Sequence, residues 1–146
     1  MRCIILALSI LFVLTGIVQT ATAEIIAKCG PLKGHVYWNP SPIVPKDKVG
    51  WDTDRISSTT VLAKNGKDYD VRFRSANGTE SSTREQGGQV FKIKQTSSTI
   101  TLLALYGGDT AEVYTYNYQT RVLSYFADKL GAVIPSIKLL IGPCTG

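Results

Sequence analysis

The chain is poor in the residues that carry chemistry at neutral pH. It has one histidine, one methionine and three cysteines among 146 residues. No G-x-S-x-G elbow, H-E-x-x-H motif or Walker loop occurs in it. A Ser-His-Asp triad would have to take its base from His35, which stands in the strand-like run Val36-Tyr37-Trp38. Metal binding is equally unsupported, because Cys29 and Cys144 lie far apart and His35 is the one imidazole. The two aspartates of Asp52-Thr53-Asp54 read as solvated side chains of an exposed loop, and no EF-hand pattern surrounds them. Long blocks of like charge, low-complexity tracts and internal repeats are missing too. A composition of 44% hydrophobic and 18% charged residues argues against disorder and a nucleic-acid-binding tail, and a length of 146 residues excludes a multidomain enzyme. We therefore expect no enzyme, no cofactor and no metal.

Two features that are present set the context. Met1 to Ala23 reads as a secretory signal peptide: Arg2, an apolar run from Ile4 to Leu14, then small residues at Ala21 and Ala23. As a membrane anchor the run is too short, since a bilayer needs roughly 20 apolar residues. Cleavage after Ala23 leaves Glu24 to Gly146 as one domain with a net charge of +4, Arg2 having gone from the total of +5. It also removes Cys3 and leaves an even pair, Cys29 and Cys144, near the two ends. In an oxidising compartment such a pair forms a disulfide. The expected location is periplasmic or secreted, with no stable membrane insertion.

The mature chain alternates apolar and polar residues with period two. Tyr69, Val71 and Phe73 share one face of Asp68 to Arg74, with acids and arginines on the other. Val90 to Lys94, Thr110 to Tyr118, Arg121 to Ala127 and Ser136 to Ile141 read similarly as strands, as do Gly34 to Trp38 and Ser57 to Lys64. Ile100 to Tyr106 is apolar on both faces and is expected to be the most buried strand. Asn65-Gly66 and Asn77-Gly78 suit tight hairpin turns. Pro40, Pro42 and Pro45 make the segment after Trp38 an ordered irregular loop, and Ser124 to Leu130 leaves room for one helical turn. The prediction is an all-β antiparallel meander of about eight strands, closed or nearly closed as a small barrel, with a two-sheet sandwich as the alternative. Cys29 before the first strand and Cys144 after the last would clip the seam.

The densest aromatic constellation is a tyrosine row. Tyr114, Tyr116 and Tyr118 share one face of a strand, with Glu112 two residues upstream and Tyr106 and Tyr125 on flanking strands. Rings with a hydroxyl suit a semi-polar pocket, a contact surface or a packed interior. Trp38 and Trp51 bracket the proline loop and can shape a cavity mouth or anchor that loop. A lipocalin comparison fails on residues: Gly50-Trp51 lacks the spacer of Gly-x-Trp and follows the first strand. The sequence thus points to an exported, non-enzymatic binding protein, either a small-ligand barrel using these tyrosines or an interaction module such as an inhibitor or immunity-type partner of an exported enzyme. No nucleic-acid partner is expected, because the cations alternate with Asp68 and Asp70.

Overall fold

The structure, a computed structural model, describes residues 23–145. The expected leader lies outside the described residues except for Ala23. Eleven strands follow in order. They are β1 (Glu24–Cys29), β2 (Leu32–Trp38), β3 (Gly50–Ile56), β4 (Thr59–Asn65), β5 (Asp68–Arg74) and β6 (Glu80–Ser82) in the first half. The second half holds β7 (Gln89–Gln95), β8 (Thr99–Tyr106), β9 (Thr110–Asn117), β10 (Val122–Asp128) and β11 (Ser136–Thr145). All pairings are antiparallel, and the strands belong to a single curled sheet shaped as a half-barrel.

Hydrogen bonding runs β6-β5-β4-β1-β11-β10-β9-β8-β7 across the sheet. The ten-residue β11 forks it. Along one edge β11 pairs with β2 from Ser136 to Ile141 and then with β1 at Cys144 and Thr145. The chain bends between β1 and β2 at Gly30-Pro31, whose peptide bond is cis. From the fork, β1 leads through β4 to β5, while β2 carries β3 as an outlying hairpin. The expected all-β antiparallel meander, closed or nearly closed as a small barrel, is found as one curled sheet, but its count of about eight strands and its closure are corrected: the described residues form eleven strands, two of them branch off, and the ring is open. β5, next to the short end strand β6, lies near β7 at the opposite end, but no ladder joins the two among the described residues. The short β6 and the turn after it occupy part of the β5 edge, through Thr83 N–H to the Val71 carbonyl and Arg84 Nε to the Tyr69 carbonyl.

Several local expectations change as well. β1 and β3 form outside the segments with strand-like alternation, and Asp52 and Asp54 belong to β3 rather than to a loop. Seven consecutive residues of β3 pair with β2, which outweighs the low strand preference of aspartate. No helical turn forms at Ser124 to Leu130, because β10 pairs on both sides through Asp128. β8 is not buried on both faces: Ile100, Leu102 and Ala104 are buried, but Leu105 is 41% exposed. A half-barrel has no second layer to cover its outside. Phe91, Leu103, Val113, Phe126 and Leu139 therefore stand in register as an outward apolar row across five strands.

The core lies on the concave side. Leu32, Leu62, Val71, Leu102, Leu123 and Leu140 are fully buried there, each contributing roughly 1.5–3 kcal/mol by leaving water. The turns follow their chemistry. Gly66 takes φ 60° between β4 and β5, and Gly78 takes φ 85°, conformations a Cβ would strain. Asn77 Oδ1 accepts from Ser75 Oγ and the Thr79 amide, so its side chain is part of its turn.

Cys29 and Cys144 are paired across β1 and β11 and joined by a disulfide that closes a 115-residue span. On loop-closure entropy alone such a link stabilises by at most about 4–5 kcal/mol. Replacing both cysteines by alanine should lower the chemical-denaturation stability by roughly 2–4 kcal/mol. Equilibrium unfolding with and without reductant checks this, and identical curves would show the link to be energetically idle.

Candidate functional site

Alternation along β9 decides which way the tyrosines face. Glu112, Tyr114 and Tyr116 are buried on the concave side, whereas Ala111, Val113, Thr115 and Asn117 are half-buried on the other. Tyr125 of β10 stands opposite Tyr114 in register, their ring centroids 5.1 Å apart. Tyr106, at the end of β8, is half-buried with its hydroxyl 2.8 Å from Thr83 Oγ1. Tyr116 packs edge-on against Tyr118, which reaches the far end of the row and accepts from Gln95 Nε2 at 3.4 Å.

The centre of the row is Glu112, 4% exposed. Tyr114 donates its hydroxyl to Oε2, and Tyr125 donates to Oε1 at 2.9 Å. Lys129, just beyond β10, brings its ammonium to 2.8 Å from Oε1. An isolated buried carboxylate would be very costly, so these three donors are what allow it here. The same burial acts on the phenols. Loss of water contact, and after it the Glu112 charge, pushes Tyr106, Tyr114 and Tyr125 well above the usual phenol range. They remain protonated donors at neutral pH.

A second ion pair lies on the same side of the sheet. Lys138 of β11 reaches Asp54 Oδ2 at 2.6 Å and sits 5.5 Å from the Trp38 ring centroid. Asp54 is near enough to Tyr125 to oppose its ionisation. Trp51 is 70% exposed on the opposite face, its ring edge against Tyr37 with centroids 5.3 Å apart. The two tryptophans thus do not share a cavity wall.

Beside Glu112 the half-barrel opens into a pocket of about 360 Å³. Ile56 and Phe73 supply an apolar wall, and Gln86, Tyr106, Glu112 and Lys129 a polar one. Of the residues singled out in the sequence, Tyr106 and Tyr125 line this pocket, and Tyr114 supports it from behind. Tyr116, Tyr118, Trp38 and Trp51 do not line it. Sequence reasoning missed Glu112 as the hub and Lys129 as its partner. The signal was a carboxylate at an inward position of an aromatic row, where charge is placed only if something answers it. His35 stands exposed on the convex face, level with Leu139 and Thr53.

No family model matches the chain, and no curated protein or solved structure is detectably similar to it. Among the described residues no group of three histidine, cysteine or acidic side chains is arranged to hold a metal ion, and no helix is long and apolar enough to cross a membrane.

The raised phenols make a signed prediction. Above about pH 10 the unfolded chain releases tyrosine protons that the folded chain retains, so stability is full below that pH and falls as pH rises past it. Phenolate absorbance should therefore show Tyr106, Tyr114 and Tyr125 ionising only as the protein unfolds, with a steeper alkaline loss than in Tyr125→Phe. Glu112→Ala should destabilise by roughly 2–4 kcal/mol at neutral pH, because it strands two buried hydroxyls. Denaturant titration reads that directly.

Proposed function

We propose that the protein is an exported, non-enzymatic binder of a small amphiphilic cation, held in the pocket at Glu112. The supporting observation is that an inward aromatic row ends at a pocket of about 360 Å³ with a buried carboxylate in its wall. Small-molecule sites begin at about 300 Å³ and combine apolar walls with a few converging polar groups. Export is supported by the leading segment of the sequence and by the disulfide, a bond that persists in oxidising compartments.

The charge of the ligand follows from what already occupies the site. Both oxygens of Glu112 accept hydrogen bonds, and the one ammonium among the donors is Lys129, whose side chain is 30% exposed. A ligand amine could take its place while Lys129 returns to water. The rings of Phe73, Tyr106 and Tyr125 would then lie against the apolar body, an environment that also favours a cation. An anionic ligand would meet Glu112 and gain only Lys129.

Thermal denaturation with matched arylalkyl amines and carboxylic acids tests the proposal. Amines should raise the melting temperature in a saturable way, as expected for a ligand that binds the folded state. The acids should not. Ile56→Trp, which fills the mouth, should abolish the shift without loss of fold, and Glu112→Gln should weaken it at least tenfold. A panel in which neither class shifts the curve would remove this reading.

A further inference from the structure

The open seam between β5 and β7 is a second concave feature, distinct from the Glu112 pocket. Its groove of about 820 Å³ runs from the β4–β5 hairpin to the outer edge of β7. Four cations line it, namely Lys64, Lys67, Arg84 and Lys92, with Asp68 as the one carboxylate. Asp68 is already held by Arg84 at 3.6 Å. Lys92 is steered towards the groove by the ring of Tyr69, 5.5 Å from its ammonium. Phe91 lines the groove and is 45% exposed.

Backbone supplies the other half of the recognition. β7 pairs with β8 on one side, and no ladder covers its other edge among the described residues. An uncovered edge presents unpaired N–H and C=O groups to whatever strand can reach them. The facing edge of β5 is different, since its Tyr69 and Val71 carbonyls are already engaged.

We propose that the seam takes an extended acidic peptide segment of a partner protein, which adds to the free edge of β7. Its carboxylates would meet Lys64, Lys67 and Lys92, and an apolar side chain would rest on Phe91. The charge selects acidity, and the edge selects a peptide, because a polyphosphate or polysaccharide cannot complete a β-ladder. Edge lysines, and the register shift between Lys92 and Lys94, also discourage self-pairing of a β-protein. In this reading the same charges admit an acidic strand and repel a basic one.

The test uses the folded, disulfide-intact protein and a capped octapeptide of alternating glutamate and valine. Binding should be saturable, weaken with added salt, and slow hydrogen exchange at the β7 amides. Lys64→Gln combined with Lys67→Glu should weaken it at least tenfold. Lys67→Glu alone, at the exposed hairpin, should give a smaller loss with an unchanged melting temperature, so misfolding cannot mimic the result. The proposal is overturned by binding without β7 protection, or by indifference to both variants. It is equally overturned if polyphosphate of matched charge binds as tightly and displaces the peptide, which would make the seam a general anion groove. If the peptide does not bind at all, the lysines serve only to guard the edge.

Discussion

The constraint on which the architecture rests is that one edge of β11 serves two strands. β2 takes its first six residues and β1 its last two, with the disulfide at the point where the second begins. Such a splice requires unusually close backbone approach. A Cβ on Gly34 would fall 2.1 Å from the Leu139 carbonyl oxygen, and one on Gly142 would fall 2.7 Å from that of Pro31. Any side chain at either position would push β2 away from β11 and dissolve the fork. With it would go the route by which β1 and β4 carry the sheet round towards β7. The cysteine link therefore does more than shorten the unfolded chain. It holds together the one junction from which both branches grow.

The fork also explains why charge is tolerated inside. β3 and β11 bring Asp54 and Lys138 to the concave side, β9 brings Glu112 to the same side, and both carboxylates oppose ionisation of Tyr125. A carboxylate on this side of the sheet loses hydration. Each of the two is answered by a lysine, and Glu112 additionally by two phenols. The tyrosines do two jobs here: their rings fill the interior as leucine would, and their hydroxyls supply donors that leucine lacks. Apolar packing and polar satisfaction come from the same side chains. Removing one of them thus disturbs the pocket as well as the core.

Much of this was legible wherever a strand buries one face. Tyr69, Val71 and Phe73 declared β5 by alternation, and the Asn-Gly pair at 65–66 placed the turn before it. Legibility failed where structure depends on distant partners. Local signals in Gly50 to Ile56 conflict, since Trp51, Thr53 and Ile56 suit a strand whereas Gly50, Asp52 and Asp54 do not. The segment's seven pairs with β2, and the link from Asp54 to a lysine 84 residues away, make it one. β8 failed in another way: apolar residues on both faces suggested double burial, whereas its outer row is uncovered. The direction of the tyrosines was undecided because Ala111, Val113, Thr115 and Asn117 are small enough for either side. What decides it is the group of donors that Glu112 requires, and Lys129 is seventeen positions further along.

The failure of the ring to close belongs to the same physics. A complete barrel would need β7 to pair with β5, yet β6 and the turn after it already hold the Val71 and Tyr69 carbonyls. Closure would also press Lys92 towards Lys64 and Lys67 in a narrowing space with one carboxylate to offset them. Like charges at such separations repel more strongly as water is excluded. The seam is thus open for a local and a long-range reason at once, and both leave the edge of β7 uncovered among the described residues. A strand carrying carboxylates would remove both obstacles together, since it brings the opposite charge and needs no acceptor from β5. Charge and topology, which elsewhere in this sheet act separately, converge at that edge.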